Sequence, residues 1–201
     1  MQGISNVSKA VSTKTTHPIL SCIFIEAENG NIKLTANDME IGIESYVEGT
    51  VIEEGKVAIE AKLLSDIVRK LPDSEIHMET NEDFKTTIKC EKSLFTIAGK
   101  SGEDFSSLPV VEKSKYITIS QFTLREIINQ TIFSISDSEY NNVMTGELFE
   151  VSNNRLRVVA IDGHRIAIRN VELKDESQDV KVIVPGKALS YISKIVNGGV
   201  D

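Results

Sequence analysis

The sequence has few of the residues that mark several classes of protein. Its 201 residues include no tryptophan, 5% aromatic residues and two cysteines, Cys22 and Cys90, which lack CxxC spacing. Such a pair gives neither a disulfide framework nor a thiolate metal site. No apolar run approaches the length of a membrane span, and residues 1–15 lack the hydrophobic region of a signal peptide. We therefore expect a reduced, cytoplasmic, globular protein without membrane association, whose cores are Ile, Val and Leu packed on sheets.

Positive charge is also scarce, since 22 Lys and Arg residues stand against 30 Asp and Glu residues and the formal net charge is −8. A negative net charge usually argues against a nucleic-acid partner, because phosphate binding depends on Lys and Arg. That inference concerns averages, and a protein can carry a basic surface on one side. Only the placement of charges on the secondary structure elements decides the matter.

What the chain does contain is a duplication. Residues 24–43 match residues 148–168, and each copy is two apolar runs around Asn-Gly or Asn-Asn, a pattern typical of a β-hairpin. Near His164 the match requires one inserted residue, and residues 57–67 then recur as residues 182–192. The matched pairs include Glu26 with Glu150, Asn29 with Asn153, Ala36 with Ala160, Asp38 with Asp162, Ile41 with Ile166 and Ile43 with Ile168. A duplicated unit is therefore the basis of the fold.

Hydrophobic periodicity predicts an α+β chain of two domains, residues 1–114 and 115–201, with the boundary in a segment rich in Gly, Ser and Pro. In the repeat register the first domain lacks its opening strand and the second lacks its C-terminal half, so we expect part of a longer protein. The predicted helices are 1–12, 61–71, 122–134 and 187–196. The predicted strands are 19–27, 32–36, 40–47, 49–53, 56–60, 75–80, 85–90, 93–98, 116–120, the hairpin from 143 onward, and 180–185.

Basic residues recur at the same positions of the duplicated helices. Lys62 and Arg69 are seven residues apart, hence on one helix face, and their equivalents are Lys187 and Lys194. Lys9 and Lys14 add to the same side of the first domain, whereas acidic residues crowd the strands and turns. Solvated lysines are the ordinary interpretation of one such helix, but the repetition favours a basic surface lined by helices.

Catalytic motifs are absent, because the chain has no phosphate-binding glycine loop, no GxSxG and no Cys/His metal spacing. The segment 162–165, Asp-Gly-His-Arg, could serve a small-molecule hydrolase through Asp162 and His164. A turn between two strands is the favoured interpretation, because the equivalent turn at 37–40 keeps only the Asp. We predict no catalytic residue, no metal site and no cofactor, with the hydrolase as an alternative.

Several motifs together resemble the bacterial DNA polymerase III β subunit, the replicative sliding clamp. They run in that family's order along the whole chain and include Ser-Lys-Ala-Val-Ser at 8–12, Ala-Asn-Asp-Met-Glu at 36–40, Ala-Gly-Lys-Ser-Gly-Glu-Asp-Phe at 98–105 and Asp-Gly-His-Arg at 162–165. The resemblance implies the DNA clamp fold, with repeated domains whose antiparallel sheets lie outside and whose two helices each face a central channel. Three such domains per chain would close, in a homodimer, as a ring.

The resemblance also implies a function and a set of site residues. The family is a processivity factor without chemistry of its own, which encircles double-stranded DNA regardless of sequence and tethers the polymerase α subunit, the clamp loader and other proteins with a clamp-binding motif. A peptide-binding scaffold with no DNA role is a further alternative. The implied DNA-binding residues are Lys14, Ser138 and Asn141, beside Lys9, Lys62, Arg69, Lys187 and Lys194. The implied partner-peptide pocket comprises Met144, Gly146, Gly163, His164, Arg165 and Ile166, and the implied dimer interface comprises Phe95 and Ile97.

Overall fold

Two copies of one arrangement, a helix followed by antiparallel strands and a second helix, make up most of the chain. In a computed structural model the described residues are 1–12, 15–112, 114, 116–137, 143–175 and 177–196. They divide into unit 1, Met1–Pro109, and unit 2, Val110–Asp201. Among the described helices none is long and apolar enough to cross a membrane.

Unit 1 begins with a short helix and contains two sheets. That helix, α1 (Gln2–Val7), continues into a 3-10 turn, Ser8–Ala10, and a second 3-10 turn, Pro18–Ser21, leads into the first strand. The elements are α1 Gln2–Val7, β1 Cys22–Glu28, β2 Asn31–Asn37, β3 Gly42–Val47, β4 Gly55–Glu60, α2 Ala61–Lys70, β5 His77–Thr80, β6 Lys85–Cys90 and β7 Ser93–Ala98.

Unit 2 repeats the first part of this order. Ser120 caps the N-terminus of the first helix of unit 2. Its hydroxyl oxygen accepts a hydrogen bond from the backbone N–H of Thr123 at 3.1 Å. A 3-10 turn, Ile132–Ser134, follows that helix just as Ser8–Ala10 follows α1. The elements are α3 Gln121–Thr131, β8 Gly146–Ser152, β9 Arg155–Ile161, β10 Ile166–Glu172, β11 Val180–Pro185 and α4 Gly186–Ile195.

The sheets of the two units share one strand order. Unit 1 has β3-β2-β1-β4, unit 2 has β10-β9-β8-β11, and unit 1 adds the sheet β5-β6-β7. The hairpin turns use the residues that tolerate positive φ, with Asn29 at 51° and Gly30 at 74°, and Asn153 at 50° and Asn154 at 58°. The predicted hairpins and the duplication are therefore confirmed.

The structure moves the predicted insertion. Asn37 pairs with Gly42, and Ile161 pairs with Ile166, so the β2–β3 and β9–β10 turns have the same length. The prediction of an extra residue near His164 is wrong, and the extra residue lies between β10 and β11. Aligning isoleucines by identity shifted β10 by one position, and such a shift exchanges the two faces of a strand.

Three predicted strand assignments also differ from the structure. The first strand begins at Cys22 rather than residue 19, because Pro18 opens the 3-10 turn. Residues 49–53 form no strand, and Ile52 there is 91% exposed. Residues 116–120 form no strand either, since Ile117 and Ile119 pack against the unit 2 core without pairing to another strand.

The cores lie between the inner face of each four-stranded sheet and its helices. In unit 1, Ile23 and Leu34 from the sheet pack with Leu64 from α2, and all three are at most 4% exposed. In unit 2, Phe149, Val158, Ile128 and Leu189 make the corresponding cluster. The helices therefore keep one side on the sheet and present the other to solvent.

Candidate functional site

The recurring basic residues lie on the solvent side of equivalent helices. Leu64 and Leu189 are 0% and 1% exposed and anchor α2 and α4, whereas Lys62, Arg69, Lys187 and Lys194 are all exposed. The Arg69 guanidinium Nη1 lies 3.8 Å from Asp66 Oδ1, and the Lys194 ammonium lies 5.9 Å from the centre of the Tyr191 ring. Each unit thus displays two cations at repeat-equivalent helix positions.

Lys9 belongs to the same layer of unit 1. It lies in the 3-10 turn after α1, is half-buried, and donates a hydrogen bond from Nζ to the Ser5 carbonyl oxygen at 3.1 Å. The Ser8 and Ser65 hydroxyl oxygens are 3.3 Å apart, so this turn lies against α2. Three other predicted DNA-binding residues, Lys14, Ser138 and Asn141, lie outside the described residues.

The sheet of unit 1 carries the acidic residues together with cations. Glu26 accepts from Lys33 at 2.7 Å and lies 3.6 Å from Lys56, and Lys56 also contacts Glu28 at 2.8 Å. The hydrogen bond to Glu26 raises the pKa of Lys33, so this lysine stays charged to a higher pH than a lysine usually does. Ion pairs near the surface, such as these, contribute little to stability. The two lysines lie close enough to Glu26 and Glu28 to offset part of their negative charge.

The turn at 162–165 is held by its own aspartate. Asp162 Oδ1 accepts from the backbone N–H groups of His164 and Arg165, each at 3.0 Å, and Oδ2 accepts from Arg165 Nε at 2.6 Å. The hydrogen bond from the His164 backbone, with smaller contributions from Arg165, lowers the pKa of Asp162. Both carboxylate oxygens therefore serve the turn rather than a reaction.

Unit 1 contains the same turn. Asp38 Oδ1 accepts from the backbone N–H groups of Glu40 at 3.0 Å and Ile41 at 2.8 Å. Met39 has φ 75° where Gly163 has φ 91°, so the two turns share a left-handed residue. A turn that recurs without the histidine gives no support to the hydrolase alternative.

Arg165 reaches from the turn onto an aromatic ring. Its guanidinium carbon lies 5.8 Å from the centre of the Phe133 ring, and Phe133 is 57% exposed. Phe133 was missed in the sequence, although an aromatic residue off the apolar stripe of a helix could have identified it. The predicted pocket residues His164, Arg165 and Ile166 thus have an exposed aromatic neighbour.

A row of apolar side chains crosses the outer face of the unit 2 sheet beside this turn. Ile168 pairs with Val159, Val159 with Leu148, and Leu148 with Ile183, one residue from each strand. The pair Ile166 and Ile161 lies on the same face, two residues along. The exposed fractions are 48% for Ile168, 57% for Ile166, 39% for Ile161 and 40% for Ile183. We call these six residues the outer row.

Unit 1 covers the equivalent face with its own chain. Phe24, the equivalent of Leu148, stacks on Phe105 with ring centroids 4.9 Å apart, and Phe24 is 9% exposed. Leu108 packs over Gly42, which is the equivalent of Ile166, so closely that a Cβ there would overlap its side chain. The segment between Gly99 and Pro109 therefore covers in unit 1 the face that carries the outer row in unit 2.

Two further predicted pocket residues, Met144 and Gly146, are held in place by the surrounding backbone. The Met144 carbonyl oxygen accepts from Ser136 N–H at 2.8 Å, and Met144 is half-buried. Gly146 is buried, and a Cβ there would lie 2.6 Å from the Val184 carbonyl oxygen, so only glycine fits. This segment leads directly into β8 and the outer row.

The predicted interface residues lie on a sheet edge. Strand β7 is an edge of the sheet β5-β6-β7, where Phe95 is 36% exposed and Leu94 is 64% exposed. Ile97 is 8% exposed and belongs to the unit 1 core, so its side chain stabilises the strand rather than facing outward. An edge strand presents backbone groups that can pair with another chain.

Comparison with known families gives two matches that together cover most of the chain. The family described as DNA polymerase III beta subunit, N-terminal domain, matches residues 1–109. The family described as DNA polymerase III beta subunit, central domain, matches residues 118–201. The two matches correspond to the two structural units.

Individual relatives agree with these matches. The beta sliding clamp of Halalkalibacterium halodurans is 38% identical over 98% of this chain and 55% of its own length, and that of Staphylococcus epidermidis is 39% identical over 96% and 54%. The chain thus spans about half the length of these curated relatives.

Solved structures share the fold. A putative DNA polymerase III beta subunit from Eubacterium rectale is 56% identical over 100% of this chain and 55% of its own, with a TM-score of 0.95. The Bacillus subtilis sliding clamp, 33% identical over 98% of this chain and 54% of its own, has a TM-score of 0.91. A Pseudomonas aeruginosa clamp bound to griselimycin, 28% identical over 97% and 53%, has a TM-score of 0.87.

Proposed function

The chain belongs to the DNA polymerase III beta subunit family of bacterial sliding clamps, and we propose that it supplies two units of a ring that encircles duplex DNA. In this role it is a processivity factor that holds the replicative polymerase and its loader on the template. It catalyses no reaction of its own. Its place of work is the cytoplasm, where the chromosome is copied.

The observation that carries this proposal is the recurrence of cations on equivalent helices. Lys62 and Arg69 on α2, and Lys187 and Lys194 on α4, occupy matching exposed positions although the chain as a whole is acidic. A ring that slides needs contacts with phosphates rather than with bases, and exposed cations on rigid helices provide such contacts without sequence preference. By resemblance to the family, the proposal adds Lys14, Ser138 and Asn141 to the residues that contact DNA.

The partner surface of the proposal is the outer row together with the turn at 162–165. In unit 1 the equivalent face is occupied by a segment of the chain that inserts two large apolar side chains, Phe105 and Leu108. A face of this shape therefore fits a short hydrophobic peptide, and in unit 2 the exposed isoleucines offer it to another protein. Such peptides would come from the polymerase α subunit, the clamp loader and other proteins with a clamp-binding motif.

Ring closure in the proposal uses the edge strand β7. Its outer edge, which pairs with no described strand, and the exposed side chains of Leu94 and Phe95 suit pairing with a strand of a second subunit. Ile97 contributes by fixing β7 on the unit 1 core. The ring as a whole is a homodimer of chains with the length of the relatives.

The decisive experiment places residues 1–201 in the corresponding half of the Eubacterium rectale protein, with which the chain is 56% identical. The chimera is loaded onto nicked circular DNA and its retention is measured before and after the circle is linearised. We expect retention on the circle and rapid loss from the linear molecule, because a closed ring is held by topology alone. Equal retention on both molecules would refute the ring.

A charge variant separates the DNA role from a peptide-binding scaffold. Changing Lys62, Arg69, Lys187 and Lys194 to Glu should reduce loading onto DNA. Loading should also depend less steeply on salt, because each lost phosphate contact makes the negative slope of log K against log salt shallower by about 0.9. A control with two charge reversals changes Lys33 and Lys56, which lie on the sheet, to Glu, and is compared with the double variant Lys62→Glu/Arg69→Glu. Unaltered loading by the helix variant would favour the scaffold alternative.

A further inference from the structure

Three core positions that are apolar in unit 1 are polar in unit 2. The repeat register places Thr131 over Val7, Ser134 over Ala10 and Glu147 over Ile23. All six residues are fully or almost fully buried, with at most 1% exposure. One scaffold therefore builds the same part of its core from three hydrocarbon side chains in unit 1 and from two hydroxyls and a carboxyl in unit 2.

Glu147 has no charged partner among the described residues of this core. It points inward from β8, on the face of Phe149 and Val151, and is 0% exposed. Its Oε2 lies 3.0 Å from the Thr131 hydroxyl oxygen, which lies 2.8 Å from the Ile127 carbonyl oxygen. The single hydroxyl proton of Thr131 serves only one of these oxygens, so with that proton on the Ile127 carbonyl the protonated Glu147 carboxyl donates to the Thr131 hydroxyl oxygen. Glu147 Oε1 and the Ser134 hydroxyl have no hydrogen-bond partner among the described residues. A buried carboxylate without a cation is costly, so the neutral acid is favoured.

The charged groups around this core do not offset that preference. Burial raises the pKa of Glu147 to about 7, and the Thr131 hydroxyl opposes the shift only in part. The charged residues on the elements packed against β8 are all exposed or half-buried. They are Arg125 and Glu126 on α3, Asp137 after the 3-10 turn, Arg155 and Arg157 on β9, Arg169 and Glu172 on β10, Lys181 on β11, Lys187 and Lys194 on α4, and Glu150 on β8 itself.

The polar core is joined to the partner surface of unit 2 through two chain segments. Phe133, under the Arg165 guanidinium, lies between Thr131 and Ser134 in the chain, and Gly146 immediately precedes Glu147. A change in the packing of Glu147 therefore acts on both the 3-10 turn and the start of β8. The 3-10 turn carries Phe133, which contacts Arg165 of that surface, and β8 carries Leu148 of the outer row.

We infer that Thr131, Ser134 and Glu147 form a buried proton-binding cluster that holds the 3-10 turn against β8, and that loss of its proton loosens the partner surface of unit 2. The link to partner binding rests on the proposed function, whereas the proton site itself does not. In the protonated state the carboxyl fits the core as a neutral group. Ionisation places an unpaired charge there and favours conformations in which β8 and the turn separate.

The site is tested first in the unmodified chain. Carboxyl carbon NMR resonances are followed as the pH is raised, and Glu147 is assigned by comparison with Glu147→Gln. We expect the Glu147 resonance to titrate near neutral pH, well above the exposed glutamates. Titration in the ordinary range of a glutamate would overturn the proposal, and so would a carboxyl still protonated well above neutral pH.

Stability measurements test the coupling. Urea midpoints are compared at about pH 6 and about pH 8 for the wild type, for Glu147→Gln, and for the triple variant Thr131→Val, Ser134→Ala, Glu147→Ile, which restores the unit 1 residues. The control is Glu150→Gln, an outward residue of the same strand that pairs with Lys181 at 3.1 Å. We expect the midpoint to fall with pH in the wild type and the control but to change little in the other two. Parallel pH profiles in all four proteins would overturn the inference.

Peptide affinity completes the test. Binding of a clamp-binding-motif peptide should weaken with rising pH in the wild type and stay constant in Glu147→Gln. If Glu147 titrates as expected and peptide binds with no pH dependence, the proton site stands and the coupling fails. If no peptide binds at any pH, the proposed function fails while the titration still decides the proton site.

Discussion

Replacing Ile166 and Ile168 by serine should weaken the binding of a partner peptide without unfolding unit 2. The two side chains are 57% and 48% exposed, so about half of each is left for a partner to cover. Complete burial of an isoleucine side chain is worth about 1.5–3 kcal/mol, and covering the exposed half is therefore worth about 1 kcal/mol. Loss of both halves amounts to about 2 kcal/mol, or about a 30-fold increase in Kd.

The stability cost of the same change should be small. Both residues point away from the core, on the face opposite the buried Ala167, and exposed substitutions usually change stability by less than about 0.5 kcal/mol. The assay is fluorescence anisotropy with a labelled peptide that carries the clamp-binding motif, accompanied by urea unfolding of each variant. Binding and stability are thereby separated in one set of proteins.

The matched control is Ile52→Ser in unit 1. Ile52 is 91% exposed in the connection between β3 and β4, so it tests the same chemical change away from the outer row. An unchanged Kd for Ile166→Ser/Ile168→Ser, or an equal loss for Ile52→Ser, would refute the assignment. A large loss of stability in place of affinity would instead assign the row to packing within unit 2.

Three further perturbations have defined outcomes. The folded pKa of Glu147 is about 7 and its usual value is 4.5, so the folded state holds this proton more tightly than the unfolded state. The proton therefore adds about 3 kcal/mol to the free energy of unfolding below pH 4.5, and this stability is lost as the pH rises to about 7. Urea unfolding of the wild type and of Glu147→Gln across this range will measure the loss. Phe105→Ala should cost about 3 kcal/mol by urea unfolding, because it uncovers Phe24, and an unchanged midpoint would contradict the role given to the segment. Gly146→Ala should lower the thermal midpoint, because its Cβ would lie 2.6 Å from a backbone oxygen, whereas Gly55→Ala, with nothing within 4 Å of the added atom, should leave it nearly unchanged.

The parts of the fold that follow local rules were predictable from the sequence. Asn29 and Asn153 at equivalent hairpin turns, and Leu64 and Leu189 at equivalent helix positions, specify structure through φ preference and periodicity. Those signals act over a few residues, so they can be recognised even when the neighbouring strands and helices are unknown. The same local signals also predict strands at residues 49–53 and 116–120, where no neighbouring strand exists in the described fold to supply the pairing.

The register of β10 could not be obtained from residue identity. Ile43 and Ile168 match as letters, but Ile43 pairs with Ala36 and is equivalent to Ala167, which pairs with Ala160. Ile168 is equivalent to Glu44 on the opposite face. Only the hydrogen-bond pairing distinguishes these alternatives, because a one-residue shift preserves the composition of the strand. The outer row could therefore not be predicted before the strand pairing was known, and its neighbour Phe133 was not predicted either.

The contrast between inner and outer positions explains where the two units are free to differ. Inner positions such as Ala36 and Ala160, both 0% exposed, stay apolar because helices pack on them at interior density, although the size of the side chain can differ, as between Ile25 and Phe149. Outer positions need only solvent or a cover, so Glu44 in one unit can correspond to Ile168 in the other. Function specific to one unit is therefore expected on the outer face, as in the outer row. Glu147 is the exception, because it is a polar residue at an inner position. The isoleucine at the equivalent position of unit 1 satisfies close packing, so the carboxyl of Glu147 is explained by its charge and its proton rather than by the volume it fills.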